Sequence, residues 1–411
     1  MGVSRARVNP GRFAAAVALL QVEEGAHAED ALANLAPEGD DRNLAWFLVY
    51  GVLRRQGELD AALRPWIRHP IGGMDPELRA VLRLGAFEKL HANTPDHAAV
   101  DQAVELVKAL GLRRAQGIVN AVLRRVVVPE QMGRPDTLNH PAWLLERWTR
   151  RYGAEAVDRW CANNNTPPPL FVVSRGEALP PALASHAEPA GVGDAPISRL
   201  WRVHSPGGAV PDLPGFERGE FWVQDAASVA VADLLGEVDG VEVLDACAAP
   251  GGKSLRLASR GAVVTATDLS RPRLALLEQS ATRLGFDIAR EVHDWEQGPH
   301  PERTWGRILV DAPCSALGTV RRHPEIRWRR QPRDLAAMGV RQRRILEHAS
   351  ASLSPEGVLV YAVCSPEPEE GEQVVSSFLA DHPDFTLDQT LHTAPSSGGE
   401  DAFHAARLVR R

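Results

Sequence analysis

The chain has few of the residues that define small disulfide-linked or metal-bound proteins. It contains four cysteines among 411 residues and no Cys-x-x-Cys pair, which argues against a disulfide framework and against a zinc site. Its 14 histidines form no His-Glu-x-x-His pattern, so no metal cofactor is expected. The sparse thiols fit a reducing compartment, and we expect a cytoplasmic protein.

Long apolar runs and an excess of positive charge are also absent. No stretch approaches the roughly 20 apolar residues of a membrane span, so no membrane association is expected. Arg5 and Arg7 precede an apolar run as in a secretion signal, but Phe13, Val17 and Leu20 mark one face of an amphipathic helix, which we favour. The net charge of −7 gives no global case for nucleic-acid binding.

The order of predicted elements divides the chain into three sections. Residues 1–128 read as an all-helical bundle, residues 129–220 as a linker and a small α+β subdomain, and residues 221–411 as alternating strands and helices typical of a doubly wound parallel sheet. The predicted helices span residues 12–23, 28–35, 42–53, 57–66, 76–89, 97–110, 115–125, 143–152, 155–162, 271–284, 335–352 and 369–380. The predicted strands of the third section span residues 241–244, 262–267, 287–292, 308–310 and 358–363, with a final pair at 385–391 and 402–409.

Arginines crowd the sequence between Arg321 and Arg344, opposed only by Glu325 and Asp334. Such a run is usually a solvated helix face. Two features nevertheless favour a role in nucleic-acid binding. The run begins seven residues after Cys314, and it includes Trp328, whose ring can stack on a base. We therefore single out four candidates for nucleic-acid binding: Arg321, Arg322, Arg327 and Trp328.

Two cysteines stand just beyond the ends of predicted strands. Cys314 follows Asp311-Ala312-Pro313, and Cys364 ends Tyr361-Ala362-Val363. The carboxyl ends of parallel strands form the ligand crevice of an open α/β sheet, so both thiols are predicted to face one pocket. A lone cysteine such as Cys161 is more often a small buried hydrophobe, and spacing alone leaves a disulfide between Cys314 and Cys364 open.

The first strand of the third section leads into a loop of small residues, from Asp245 to Ser254. Small side chains let the backbone approach a ligand closely at a helix start. Gly252-Lys253-Ser254 ends like a Walker A loop, but Cys247 stands where that motif needs glycine. Asp268 ends the second strand, where a carboxylate accepts ribose hydroxyls, which indicates an adenosine-containing cofactor. Asp294, after the third strand, is either an adenine-contacting acid or an ordinary surface acid.

Taken together, these motifs resemble the Sun-type RNA 5-methylcytosine methyltransferases. The matching segments of the third section are residues 245–254, 311–318, 321–328 and 361–365, with the acidic pair Glu369-Glu370. Residues 49–54, 95–100 and 119–125 resemble the NusB-like helical domain of the branch that acts on small-subunit ribosomal RNA. Residues 224–228 look like the family segment that precedes the cofactor fold, and the likeness is weakest over residues 174–219.

The resemblance implies a multidomain protein: a NusB-like all-α bundle, a small α+β linking subdomain and a Rossmann-like class I methyltransferase domain. It implies methylation of cytosine C5 in RNA, most plausibly 16S ribosomal RNA, by a monomer that uses S-adenosylmethionine. Cys364 is then the nucleophile that adds to C6, Cys314 assists breakdown of the adduct, and Asp311 hydrogen-bonds the base. The implied cofactor-binding residues are Cys247, Ala248, Ala249, Pro250, Gly251, Gly252, Lys253, Asp268, Asp294 and Asp311.

The chain departs from the family pattern at a few positions, and three rival functions remain open. Val363 replaces a usual threonine, Gly371 a common asparagine, and Ala402 and His404 replace residues common in the terminal strand. A DNA cytosine methyltransferase would use a Pro-Cys pair but needs no second cysteine. A non-enzymatic RNA-binding or antitermination factor would use the helical section alone. A transfer-RNA methyltransferase of the same superfamily is the closest rival.

Overall fold

The computed structural model describes residues 8–35, 39–128, 135–193, 195–204, 209–301, 303–394 and 399–411. Arg5, Arg7 and residues 129–134 of the predicted linker lie outside the described residues. The chain forms two compact units. The bundle unit contains the described residues up to Thr166 together with Val320–Arg329, and the sheet unit contains Pro167–Thr319 and Arg330–Arg411. The section 129–220, predicted as one, is thus divided: its described residues up to Thr166 belong to the bundle unit, and those from Pro167 onward belong to the sheet unit.

The bundle unit is built from amphipathic helices around an aliphatic core. Alanine, leucine and valine fill that core, with Leu48, Leu59 and Leu82 fully buried. Asn9 caps the first helix by accepting the N–H of Arg12, and Pro10 occupies its first turn, where no N–H partner is needed. The helices are α1 (Pro10–Glu23), α2 (Ala28–Leu35), α3 (Asp40–Arg54), α4 (Gln56–Leu63), α5 (Pro76–His91), α6 (Asp96–Ala109), α7 (Gln116–Arg125), α8 (Pro135–Leu138), α9 (Ala142–Tyr152) and α10 (Ala154–Asn164).

A small antiparallel sheet opens the sheet unit, in the section whose structure the sequence left least defined. It consists of β1 (Leu170–Ser174), β2 (Ala187–Val192), β3 (Ala195–Val203) and β4 (Phe221–Val223) in the order β2-β3-β1-β4. A short helix, α11 (Pro181–Ala184), lies between its first two strands in the chain. Phe171 and Trp222 join the same apolar core as the large sheet. This subdomain is therefore packed as part of the sheet unit.

A seven-stranded sheet with buried central strands forms the rest of the sheet unit. Its strand order is β10-β11-β9-β8-β5-β6-β7. The neighbouring pairs among β5 to β9 are parallel, whereas β11 is antiparallel to both of its neighbours, β9 and β10. The strands are β5 (Glu242–Asp245), β6 (Val263–Asp268), β7 (Ala289–Val292), β8 (Trp305–Asp311), β9 (Leu353–Val363), β10 (Phe385–His392) and β11 (His404–Arg410). The helices are α12 (Ala226–Asp233), α13 (Gly252–Ser259), α14 (Arg271–Leu284), α15 (Ile326–Arg329, in the bundle unit), α16 (Pro332–Ala351) and α17 (Glu372–Asp381).

The two faces of this sheet carry separate apolar cores, which explains the β-branched and aliphatic strand sequences. Val243 and Leu309 face one core, and Leu244, Ile308 and Val310 the other. β9 begins at Leu353, five residues before the predicted start, because Pro355 and Gly357 interrupt its apolar pattern. Within the described part of the chain, no helix is both long and apolar enough to cross a membrane.

Candidate active site

A cavity of about 370 Å³ opens at the carboxyl ends of the parallel strands of the sheet unit. This volume falls within the range of about 300–1,000 Å³ typical of small-molecule sites. The cavity collects residues that follow five different strands, which is the expected place for a ligand in an open α/β sheet. Its lining is Ala246, Cys247, Ala249, Asp268, Leu269, Ser270, Arg273, His293, Asp294, Trp295, Glu296, Asp311, Ala312, Pro313, Cys314, Ala316, Arg341, Ile345 and Cys364.

The two strand-end thiols meet in this cavity. β8 and β9 are parallel neighbours, and their register sets Asp311 opposite Ala362. Cys314 comes three residues after Asp311 and Cys364 two residues after Ala362, and their Sγ atoms lie 3.1 Å apart. Both cysteines are free and half-buried. The hydrogen bond with Cys364, followed by burial, raises the pKa of the Cys314 thiol well above its usual value.

Asp311, at the end of β8, forms an ion pair with Lys253 from the first turn of α13. The Lys253 Nζ atom donates to Asp311 Oδ2 at 2.6 Å and stands 5.0 Å from the centre of the Phe403 ring. Burial opposes the charge on Lys253, but the carboxylate of Asp311 more than compensates and raises the pKa of the lysine. The pair therefore presents a carboxylate held in place by an ammonium group beside the thiols.

The loop after β5 is fixed by a buried carboxylate and by glycine conformation. Asp245 is fully buried and accepts the Ser254 hydroxyl at 2.7 Å, while its other oxygen has no hydrogen-bond partner. Burial raises the pKa of Asp245 to about 7. Gly251 has a φ of 115°, and a Cβ atom there would lie 2.3 Å from Leu277 Cδ1, so only glycine fits. The Ala249–Pro250 peptide bond in this loop is cis.

The two acids proposed for the adenosine moiety occupy different surroundings. Asp268 accepts the N–H of Ala249 at 3.1 Å and that of Ser270 at 2.8 Å, so it ties the loop after β5 to the end of β6. Asp294 accepts the N–H of Glu296 at 2.9 Å. Both acids line the cavity and retain oxygen lone pairs for hydroxyl or amino donors. This set of acceptors suits an adenosine-containing cofactor.

The predicted site residues separate into those that line the cavity and those that shape it. Cys247, Ala249, Asp268, Asp294, Asp311, Cys314 and Cys364 line it. Ala248, Pro250, Gly251, Gly252 and Lys253 do not, although all belong to the same loop and helix start. Ala248 is buried and donates to the Thr267 carbonyl at 2.9 Å, whereas Pro250 is exposed. Burial raises the pKa of the Cys247 thiol, which is therefore protonated at neutral pH.

Sequence reasoning missed several cavity residues. Trp295 and Glu296 follow Asp294 directly, and Trp295 donates to the Thr267 hydroxyl at 2.8 Å. Arg341 pairs with Glu296 through its Nε atom. Trp295 and Glu296 could have been predicted as cavity residues, because they directly follow the predicted site residue Asp294. Arg341 lies in the middle of α16, and nothing local to it in the sequence indicates the cavity.

The arginine-rich segment behaves differently from the expectation for an exposed patch. Arg327 is fully buried in the bundle unit, where its guanidinium donates to the carbonyls of Asn139, Asn164 and Val320 and to the Asn165 side chain at 2.8–3.1 Å. Burial lowers its pKa to about 9. This corrects the RNA-binding prediction for Arg327, because a guanidinium with these partners is not available to a phosphate.

The other three candidates of that segment are half-buried. Arg321 donates to the Thr166 hydroxyl at 2.8 Å within the bundle unit. Trp328 lies beside Leu53 and Arg83 in a pocket of the same unit. Arg322 is half-buried as well. Their contacts with RNA stay a prediction, with less free surface than the sequence suggested.

Comparison with known proteins agrees with this arrangement. The model of a family described as "16S rRNA methyltransferase RsmB/F" matches residues 232–408, and that of the NusB family matches residues 10–128. A Thermus thermophilus protein named ribosomal RNA small subunit methyltransferase B is 38% identical over 420 residues, covering 98% of each chain. The protein of that name from Erwinia tasmaniensis is 34% identical over 429 residues, covering 96% of this chain and 98% of its own.

Solved structures share the fold at lower sequence identity. A protein named PH0851 superposes with a TM-score of 0.82 and 22% identity over 99% of both chains. NSun6 from Pyrococcus horikoshii, crystallised with SFG, has a TM-score of 0.58 and 18% identity, covering 66% of this chain and 98% of its own. Both structures agree with the present chain in fold.

The sheet unit is thus the methyltransferase half of an RNA methyltransferase that uses S-adenosylmethionine. The chain as a whole belongs to the ribosomal RNA small subunit methyltransferase B family, in which a NusB-like helical part precedes the methyltransferase part. The predicted family, multidomain fold class, enzyme class and methyl donor are confirmed.

Proposed function

We propose that this protein methylates C5 of a cytosine in 16S ribosomal RNA through a covalent adduct between Cys364 and C6 of the base. The observation that carries the proposal is the pair of free thiols, 3.1 Å apart, in a cavity of cofactor size at the carboxyl ends of β8 and β9. The relatives named above are named for small-subunit ribosomal RNA, which supports that substrate.

The chemistry requires a thiol because C5 of cytosine is a poor nucleophile. Addition of the Cys364 thiolate to C6 forms an S–C6 bond and moves an electron pair to C5. S-adenosylmethionine supplies the methyl group that C5 then takes. Loss of the C5 proton to solvent then restores the C5=C6 double bond, and the electron pair of the broken S–C6 bond returns to the Cys364 sulfur. Cys314, in contact with Cys364, assists this last step.

Asp311 and Lys253 are proposed to act on the base and on the geometry of the site. The Asp311 carboxylate hydrogen-bonds the cytosine at N3 or N4 and stabilises the activated ring. Lys253 keeps that carboxylate in position through its 2.6 Å contact. The base must leave its stack to reach this cavity, at a cost of roughly a few kcal/mol.

The cofactor is proposed to occupy the same cavity beside the thiols. Asp268 would accept ribose hydroxyls and Asp294 the adenine amino group, and both already line the cavity. The loop from Cys247 to Lys253 leads from the cavity into α13, and Gly251, with its positive φ, allows the chain to turn sharply there. Cys247 and Ala249 contribute directly to the lining.

The covalent step is tested with RNA that carries 5-fluorocytosine. The fluorine cannot leave as a cation, so the adduct should persist and shift the wild-type protein on a denaturing gel. Cys364→Ala should give no trapped complex, and Cys314→Ala should accumulate adduct even on ordinary RNA. Cys161→Ala, which changes a buried cysteine of the bundle unit, is the control. A trapped complex in Cys364→Ala would refute the assignment of the nucleophile.

The choice of RNA is tested by mapping 5-methylcytosine in cells with and without the protein. We expect one or more 16S positions to lose the modification while transfer-RNA positions keep it. Loss confined to transfer RNA would replace the proposed substrate by that of the closest rival, and the cysteine chemistry would stand. Re-expression of Cys364→Ala should fail to restore the modification.

A further inference from the structure

A fully buried carboxylate lies behind the two thiols, in a position that the cysteine mechanism does not itself use. Glu370 stands in the turn between β9 and α17 and has no solvent-exposed surface. Its Oε1 atom accepts the N–H of Ser315 at 2.6 Å and Gln342 Nε2 at 3.2 Å. Its Oε2 atom accepts the hydroxyls of Ser315 and Ser365, each at 2.5 Å. All four donors are neutral groups.

The groups that bind Glu370 are the residues that follow the two cysteines. Ser315 comes directly after Cys314 and Ser365 directly after Cys364, and the two hydroxyls lie 3.2 Å from each other. The Ser315 N–H belongs to the peptide bond that leaves Cys314, so one hydrogen bond fixes that peptide. Glu370 thus holds the two cysteine-bearing turns to a single point.

A second contact secures the other side of Cys314. Gln342 Nε2, which donates to Glu370, also donates to the Pro313 carbonyl at 2.9 Å. The peptides before and after Cys314 are therefore both linked to Glu370, one directly and one through Gln342. On the other turn, the Cys364 carbonyl accepts the N–H of Gly318 at 3.0 Å. Cys314 and Cys364 have little freedom to separate.

Burying a carboxylate among neutral donors is costly, and a purely structural turn does not require it. The negative charge also acts on the chemistry of the thiols. It adds to the hydrogen bond with Cys364 and to burial in raising the pKa of Cys314, so that this cysteine keeps its proton.

We propose that Glu370 is a positioning residue that sets the separation of the Cys314 and Cys364 thiols by binding Ser315 and Ser365. This inference rests on the proposed function for its catalytic consequence, since attack by one thiol and release by the other require both at one base. The distance between the two thiols is set by the hydrogen bonds of Glu370 and does not depend on the proposed reaction. The residue is assigned no contact with cofactor or RNA.

The test combines two measurements on the full chain, one of which needs no RNA. Diamide oxidises two adjacent thiols to a disulfide and takes up two protons and two electrons, so its rate of reaction reports the approach of Cys314 and Cys364. The rate of covalent trapping on 5-fluorocytosine RNA reports the catalytic geometry. Variants are Glu370→Gln, Glu370→Ala and the double variant Ser315→Ala, Ser365→Ala. Glu356→Gln, an exposed carboxylate in β9, is the matched control.

We expect both rates to fall by about tenfold in Glu370→Gln and about a hundredfold in Glu370→Ala, because an ångström of misplacement costs roughly that much. The affinity for S-adenosylhomocysteine should stay within about twofold of wild type, since no cavity-lining residue is changed. Glu356→Gln should match wild type in all three measurements. If Glu370→Ala does not fold, the serine double variant gives the same comparison, with both rates reduced.

The outcomes separate this proposal from the proposed function. Disulfide formation at the wild-type rate in both Glu370 variants would overturn the positioning role. So would a parallel loss of cofactor affinity, melting temperature and both rates, because that result indicates a general structural role. Absence of trapping in the wild type, together with slower disulfide formation in the variants, would refute the covalent mechanism and leave the positioning role intact.

Discussion

Two buried carboxylates of the sheet unit differ in the number of hydrogen bonds that they receive. Asp245 and Glu370 are both fully buried. Glu370 receives four hydrogen bonds, whereas Asp245 receives one side-chain hydrogen bond, from Ser254, and keeps one oxygen unpaired. Burial without enough donors disfavours the charged form, and this raises the pKa of Asp245 to about 7.

The raised pKa of Asp245 makes stability depend on pH. Its usual value is 3.8, so between about pH 4 and pH 7 the folded protein holds a proton that the unfolded chain has lost. The free energy of unfolding should therefore fall as pH rises through this window, by up to about 1.4 kcal/mol per pH unit. Asp245→Asn lacks this titration. Urea unfolding at pH 5 and pH 8 should show the wild type losing about 2 kcal/mol relative to Asp245→Asn between the two conditions.

A constant difference between the two proteins across that range would contradict the assignment. Asp239→Asn is the control, because Asp239 is exposed and lies next to the start of β5. Its stability relative to wild type should not change with pH in this window. The comparison isolates the buried group from the many other carboxyls of the chain.

At the level of elements, strand ends were the most predictable part of the molecule. β8 and β9 carry apolar sequences buried on both faces, and that pattern predicted the strands and the common location of Cys314 and Cys364. The strand order is not encoded locally, since it depends on packing between distant segments. β2 contains Pro189 and Gly191 and is largely unburied, so its sequence has no clear alternation.

Glu370 illustrates what the sequence alone does not reveal. The sequence showed the acidic pair Glu369-Glu370, but the hydrogen bonds of Glu370 to Ser315 and Gln342 join residues 55 and 28 positions apart in the chain. The same holds for Arg327, whose partners lie 162 to 188 residues earlier, apart from Val320. Charged residues are usually exposed, so burial of these two could not be expected from composition.

Arg327, in the short helix α15, is expected to be essential for the stability of the bundle unit. Arg327→Met keeps much of the side-chain volume but removes the guanidinium donor from three buried carbonyls, at about 3 kcal/mol or more in total. Hydrogen exchange of α9 and α10 should accelerate. Arg333→Met, which changes an exposed arginine at the start of α16, should leave exchange unchanged. Wild-type protection in Arg327→Met would show that these hydrogen bonds contribute little.

For the whole molecule, the notable feature is that the chain crosses between the two units three times. It leaves the bundle unit after Thr166, returns at Val320 and leaves again after Arg329. The residues that line the cavity at the carboxyl ends of the parallel strands all belong to the sheet unit. Cofactor binding should therefore be separable from the integrity of the bundle unit.

This separation can be tested by replacing residues 320–329 with a glycine-serine segment of equal length. S-adenosylhomocysteine should bind within about twofold of the wild-type affinity, as measured by calorimetry. Hydrogen exchange in α9 and α10 should rise as it does in Arg327→Met, because the same carbonyls lose their donor. Loss of cofactor binding in the replaced chain would show that the cavity depends on this segment.

The late return of the chain to the bundle unit also affects its biosynthesis. The ribosome makes the helices up to Asn164 early, but Arg327 follows only about 160 residues later, which takes about 10–30 s at elongation rates of about 5–20 residues per second. During that interval the carbonyls of Asn139 and Asn164 lack the donor they have in the finished protein. The first unit to emerge is thus completed only when most of the second has been synthesised, and its helices must remain competent to accept a segment that arrives from the far half of the chain.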